Sequence, residues 1–338
     1  MLKEPTKIER ELISFLSKKK IRFCVLGFGG DIDIAISPLQ PFELFSLVQE
    51  FCQQNNLLLV QMLQHEQSAF YFVMAWFDKD RNVHYLRPDI CGDYVCNGRR
   101  YLSANDLTQA ASGNSEIWTP SPPIDFIYYL IKKIEKLSLE SEHGGRLSAA
   151  WARDPKGAEE WVRRFWKGKE ADLLVKAAAT DRWADLHLAL PGLRKSLRAS
   201  ASSRSSRSGE LNRYLRRVCY PTGLAVAIMK GAAPGRSLAA SRAAIDLEPV
   251  FRRTRVYKAG PTILHRIRST LVVSAKPGLF RPDLRVQVHD GQPIDDMVAD
   301  VNEAILRHMT KRLRRRLKLS HAKPKDPPSR RRVRAERG

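Results

Sequence analysis

The run Phe23-Cys24-Val25-Leu26-Gly27-Phe28-Gly29-Gly30-Asp31-Ile32-Asp33-Ile34-Ala35-Ile36 constrains this chain more than any other stretch. Its second half alternates acid and apolar residue, which is the period of a half-buried strand. On a strand, positions i and i+2 point to the same face. Asp31 and Asp33 are therefore expected to project together from one side of a sheet. Strand interiors are poor in aspartate, so two in succession ask for a reason. Like charges held that close repel unless a cation lies between them, and hard carboxylate oxygens suit Mg²⁺. A solvent-facing strand edge is the plainer explanation of the same pattern. Gly29 and Gly30, just upstream, would let a phosphate chain approach the backbone.

The surroundings of this run predict a small α+β sheet over residues 1–120. Ile8–Leu16 and Phe42–Asn55 have helical apolar spacing. Leu57–Leu63, Ala69–Phe77 and Val83–Cys91 are rich in β-branched and aromatic residues and predict three strands. Asp78–Asn82 is the turn between the last two. Metal-dependent nucleotidyl transfer uses two or three carboxylates to hold metal ions against phosphates. Asp31 and Asp33 supply two. Asp89, in Pro88-Asp89-Ile90, is the best candidate for a third, with Asp93 second.

Residues 121–198 predict a helical connector opened by Pro122-Pro123. Helices are expected over Ile124–Leu139, Ala149–Trp166, Glu170–Thr180 and Arg182–Leu190, with Asp181 and Pro191 as punctuation. Residues 199–213 are Ser/Arg-rich and predict a flexible linker. In 214–319 a short buried strand, Leu224–Met229, precedes a glycine-containing loop, Lys230–Ser237, and a helix, Leu238–Phe251. That is the strand-loop-helix order of a phosphate-binding unit. Arg285–Asp290 is a further strand, and Ile294–Leu319 is a helix ending in Lys311-Arg312-Leu313-Arg314-Arg315-Arg316. Residues 320–338 predict a basic disordered tail. The fold class is α/β.

Charge is unevenly placed. The chain has 338 residues and a formal net charge of +22, yet residues 1–120 hold 12 Lys/Arg against 14 Asp/Glu. The excess lies in the later segments and predicts nonspecific contact with polyanions. Thirteen Lys/Arg fall within 311–338, where no aromatic residue is present to stack on bases. Five scattered cysteines predict reduced thiols. No run of about 18 apolar residues exists, so no membrane span is expected. The first twenty residues are charged throughout and lack a signal-peptide core, which with the thiols predicts a cytoplasmic protein.

Several of these segments resemble a bacterial family that fuses a nucleotidyltransferase-fold module to a thymidylate-kinase-like P-loop domain and is associated with polysaccharide biosynthesis. The matching residues are Val25-Leu26-Gly27, Asp31-Ile32-Asp33-Ile34, Val60-Gln61, His65-Glu66, Pro88-Asp89-Ile90-Cys91-Gly92-Asp93-Tyr94 and Gly98-Arg99-Arg100-Tyr101-Leu102-Ser103. Phe126–Ile134, Arg164-Phe165-Trp166 and Leu247–Arg255 extend the likeness. The resemblance implies a nucleotide substrate and Mg²⁺ at Asp31, Asp33 and Asp89. It also implies an acceptor such as a sugar phosphate or another small hydroxyl compound.

The chain departs from that pattern at both glycine turns. Gly29-Gly30 abuts Asp31, where about ten residues normally intervene, so fewer backbone N–H groups face a triphosphate. A working P-loop reads Gly-x4-Gly-Lys-Ser/Thr. Here Gly235 and Ser237 occupy matching positions, but Lys230 replaces the first glycine and Arg236 the lysine. Pro234 also removes a loop N–H. Kinase activity is not expected of this half. Two functions stay open. One is a nucleotide-binding protein with Mg²⁺-dependent nucleotidyltransferase-like chemistry in the first module. The other is a non-catalytic nucleotide- or polyanion-binding or regulatory protein that keeps both folds.

Overall fold

A computed structural model describes residues 6–28, 31–37, 39, 41–66, 68–109, 118–139, 141–201, 203–204, 223–230, 233–251, 253–257, 270–275 and 282–320. The fold is α/β, with helices packed on several sheets. Gly29 and Gly30, residues 205–213 of the expected linker and residues 321–338 of the tail lie outside the described residues.

The first module opens with α1 (Lys7–Lys18), started by a capping box in which Thr6 and Glu9 bond each other's backbone N–H groups. Then come β1 (Phe23–Phe28), β2 (Ile32–Ile36), α2 (Pro41–Gln54), β3 (Leu58–Glu66), β4 (Ala69–Phe77), β5 (Val83–Leu86) and β6 (Pro88–Cys91). The sheet order is β1-β2-β6-β4-β3, with β5 paired to β4. β2 and β6 are parallel, while β1–β2 and β4–β6 are antiparallel. The single strand expected over Val83–Cys91 is divided at Arg87. β5 pairs with Met74–Phe77, β6 with Ala69–Tyr71, and the break lets β6 lie beside β2 as well.

A hairpin follows, β7 (Tyr94–Cys96) and β8 (Arg99–Leu102). It turns through Asn97 and Gly98, both left-handed at φ 51° and 71°, the Asn-Gly chemistry of a type I′ turn. α3 (Ala104–Gln109) starts at Ser103, which trades hydrogen bonds with Asp106.

The pleat sorts this sheet into two unlike faces. Ile32, Ile34, Phe70, Phe72, Met74 and Ile90 meet α1 and α2 in one core. On the other face, Cys24, Leu26 and Ala35 pack under the connector. Val60, Val73 and Ala75 on that face pack under the C-terminal module. The acids lie on this second face, between the two covers.

The connector comprises α4 (Pro122–Lys136), α5 (Ser141–Arg153), α6 (Pro155–Phe165), α7 (Gly168–Thr180), a 3-10 turn (Trp183–Ala189) and α8 (Leu190–Ser200). The helix expected over Ala149–Trp166 is broken. Asp154 accepts a hydrogen bond from the Gly157 N–H and caps α6, with Pro155 in its first turn. Pro191, expected as a stop, instead lies in the first turn of α8, where its missing N–H removes no helical bond. α8 continues through Ser200, and Ser203–Arg204 form β9 against β8. The expected linker over 199–213 is therefore ordered at its start. Its anchor is Glu135, fully buried, which accepts hydrogen bonds from Arg198, Tyr101 and Asn97. Burial works to raise its pKa, but these donors hold it below the ordinary glutamate value.

The C-terminal module contains β10 (Leu224–Met229), α9 (Ala233–Asp246), β11 (Arg253–Tyr257), β12 (Thr270–Ser274), β13 (Leu284–Gln287) and α10 (Ile294–Ser320). Its sheet is wholly parallel in the order β11-β12-β10-β13. β11 and β12 were not expected from sequence. Four alanines of α9, Ala239, Ala240, Ala243 and Ala244, are buried and let the helix lie close to its neighbours.

α10 joins the modules. Leu313 belongs to the core of the first sheet and its helices, and Leu317 packs beside it. Arg312 donates to the Gly223 carbonyl at 2.9 Å. The basic cluster at 311–316 is thus partly built into the fold. Nearby, Arg81 in the β4–β5 turn reaches Asp300 at 2.6 Å and Glu303 at 3.5 Å on α10. The Tyr85 hydroxyl donates to the Asp246 carbonyl at 2.9 Å. Leu313→Ala should lower unfolding stability by about 2–4 kcal/mol in urea melts and destabilise both modules in one transition. Two separate transitions, with only the later module affected, would contradict this interlock.

Candidate functional site

β2 and β6 pair in parallel with Asp33 opposite Asp89, and β6 pairs with β4 with Asp89 opposite Tyr71. Three polar side chains thus form a row across the central strands, on the face that α1 and α2 do not cover. Asp31, one residue before β2, joins the end of this row: the Tyr71 hydroxyl donates to its Oδ1 at 3.3 Å, and Arg87 Nε lies 3.1 Å from the same oxygen. Asp31 is exposed, whereas Asp33, Asp89, Tyr71 and Arg87 are half-buried.

From the connector side, α4 brings Lys132. Its Nζ lies 2.6 Å from Asp33 Oδ2 and 3.3 Å from the Tyr128 hydroxyl. Burial, then the neighbouring Asp33 charge, pushes the Asp89 carboxyl up to about 7, and the charge of Lys132 offsets part of that rise. The same surroundings drive other groups toward their neutral forms. Burial followed by the charge of Asp31 moves the Tyr71 phenol up to about 12. Burial raises the Cys91 thiol and the Tyr128 phenol well above their ordinary values, with Asp89 and Asp33 adding to it.

Of the residues expected at the site, Asp33 and Asp89 are brought together, and Asp31 is held at the rim by Arg87 and Tyr71. Asp93, the second choice for a third acid, serves elsewhere. Its carboxylate accepts the Ala104 N–H at 2.9 Å, at the start of α3, and faces Arg100 at 3.3 Å. Lys132, Tyr71, Tyr128 and Arg87 were not singled out from sequence. The sequence of α4 carries Lys132, Lys133 and Lys136, but which strand their charge meets is set by tertiary packing.

Among the described residues, no three His, Cys, Asp or Glu side chains are placed to hold a metal ion together. Mg²⁺ does not need a closed protein cage, however; it is commonly bound by one or two carboxylates, substrate phosphates and water. The hard oxygens of Asp33 and Asp89 fit that pattern, and the Lys132 ammonium already occupies a cation's position at Asp33.

The second glycine turn has a different geometry. Lys230 takes φ 62° at the end of β10, a left-handed conformation that glycine adopts without strain. Gly235, Arg236 and Ser237, expected in a loop, are the third to fifth residues of α9. Arg236 bends back, its Nη1 donating to the Lys230 carbonyl at 3.2 Å. Its Nε is buried without a hydrogen-bond partner among the described residues. β12, Thr-Leu-Val-Val-Ser, carries no acid. A separate cleft of about 410 Å³ lies between α2, the β3–β4 edge and α10, lined in part by Phe45, Cys52, Trp76 and Arg314, and includes none of the three carboxylates.

Comparison with protein-family models, with curated proteins and with solved structures gave no match. No helix among the described residues is long and apolar enough to cross a membrane.

The raised Asp89 pKa makes stability depend on pH. The unfolded carboxyl ionises from about pH 4, whereas the folded one stays protonated to about 7. Its contribution to stability therefore falls as pH rises through that window. With chelator present, Asp89→Asn should stabilise the protein by about 2–4 kcal/mol at pH 8 and by little at pH 4. A stability difference that stays constant across urea melts at both pH values would show that Asp89 is not so perturbed.

Proposed function

We propose that this chain is a nucleotide-binding protein whose first module carries Mg²⁺-dependent nucleotidyltransferase-like chemistry, beside a kinase-like module without phosphoryl-transfer activity. The observation that carries the reading is the in-register opposition of Asp33 and Asp89 on adjacent parallel strands, facing away from the apolar core. Asp33 and Asp89 would hold Mg²⁺ together with the oxygens of a nucleoside triphosphate, with Asp31 at the rim. The bound ion would neutralise the phosphates and make the α-phosphorus easier to attack. Alternatively, Asp33 holds the ion with the phosphates and water, and Asp89 stays off the metal and takes the proton of the incoming hydroxyl. Tyr71 and Arg87 fix the Asp31 carboxylate. Following the family resemblance, the acceptor would be a sugar phosphate or another small hydroxyl compound, with pyrophosphate leaving.

A second reading keeps binding and drops catalysis. Asp31 and Asp33 already have Arg87 and Lys132 as counter-ions. Arg236 is turned onto the protein's own backbone rather than outward. Both features suit a non-catalytic nucleotide- or polyanion-binding protein.

Calorimetry with ATP, CTP, GTP and UTP, with and without Mg²⁺, tests the first reading. Wild type should bind at least one triphosphate more tightly with Mg²⁺, and the Asp33→Asn/Asp89→Asn protein should lose that increment, at least tenfold in Kd. Binding that ignores both the metal and the double substitution would favour the second reading.

A further inference from the structure

We infer that Lys132 is a built-in counter-ion of the acidic row: it holds Asp33 in the absence of metal, yields it to a divalent cation, and then carries its charge to the triphosphate. This inference rests on the nucleotidyltransferase-like reading of the same site and names the residue that regulates its loading.

Three observations support it. First, the contact is direct and crosses two modules. Asp33 stands on the sheet, Lys132 stands on the connector helix, and their charged atoms are 2.6 Å apart. Both side chains keep about a quarter of their surface exposed, 25% and 26%, so water, metal or phosphate can reach the pair.

Second, the helix is fixed but the ammonium is not. Ile127, Tyr128, Leu130, Ile131 and Ile134 are buried and lock α4 in place. The lysine stem lies along Tyr128, with the ammonium 5.5 Å from the ring centroid. A four-carbon stem lets the charge move by several ångströms while the helix stays put.

Third, two neighbouring cations, Lys133 and Arg146, are engaged with other groups, and Lys136 acts on Asp89 only at longer range. Lys133 Nζ lies 2.7 Å from His143 Nε2. Arg146 donates to the Leu26 carbonyl at 2.6 Å and pairs with Asp125. Lys132, in contrast, faces the carboxylate that a metal would need.

An ammonium and a divalent ion cannot share Asp33 without repulsion, so the lysine competes with the metal. When a metal brings a triphosphate, the displaced ammonium finds new negative charge beside it. Removing Lys132 should therefore act in opposite directions on the two ligands. A residue that merely braced α4 would not show this split.

The test titrates Mn²⁺ alone into the full chain by calorimetry, then ATP at saturating Mn²⁺. Lys132→Gln should bind Mn²⁺ about three- to tenfold more tightly than wild type and ATP weaker by a similar factor. Lys132→Arg, which keeps the charge, should stay near wild type for Mn²⁺. Lys169→Gln, at an exposed lysine of α7, should change neither constant. Lys132→Met keeps the stem on Tyr128 and repeats the comparison if the glutamine variant folds poorly. Mn²⁺ affinity that is unchanged or weaker in folded Lys132→Gln, while wild type binds Mn²⁺, overturns the counter-ion role and leaves the metal site standing. No Mn²⁺ binding by any of these proteins removes the metal site and the inference with it.

Discussion

The parallel pairing of β2 with β6 is the constraint on which the rest of the site depends. Side chains alternate across a strand, so this register places Ile32, Ile34 and Ile90 in the core and Asp33 and Asp89 on the opposite face. A slip of one residue would bury the acids among α1 and α2 and expose the isoleucines. The apolar side therefore fixes the polar side. Repulsion within the acidic row is then met by cations from two directions, Arg87 at the strand break and Lys132 from the connector.

The row also depends on two covers that stop short of it. The connector packs on Cys24, Leu26 and Ala35, and the C-terminal module packs on Val60, Val73 and Ala75. Cys91 and Tyr94 border the first of these cores, and Tyr71 borders the second. Sites formed where two units meet are a common way to obtain a partly dry, polar cleft. Here the low polarity of both borders explains why the Asp89 carboxyl is pushed up to about 7 and why the Tyr71 and Tyr128 phenols are raised as well.

Much of the first module was legible because its strands alternate or run apolar, and β4 was bounded to the residue. The division of β5 from β6 has a local signal in Pro88, which follows Arg87, lacks a backbone N–H and opens β6; the pairing of β6 on both sides completes the break. The β7–β8 hairpin has its signal in Asn97-Gly98, while its strands of three and four residues are too short to show a period. Pro191 reads as a stop in sequence because proline ends a helix from within, yet it fits the first turn of α8. Asp154-Pro155 is the corresponding start signal inside an apolar pattern that otherwise runs on. β11 and β12 are short, and β12 is wholly buried, so period could not separate them from other apolar runs. The acids were visible as a motif, but their counter-ions depend on contacts between residues 99 positions apart, such as Lys132 and Asp33.

Leu313 sits in a core otherwise built from the first ninety residues. A ribosome emits this chain from its beginning, at about 5–20 residues per second. The first sheet can pair early, yet one wall of its interior stays open until α10 has been synthesised and left the exit tunnel. During that interval of tens of seconds the place that Leu313 fills in this core stays open to water.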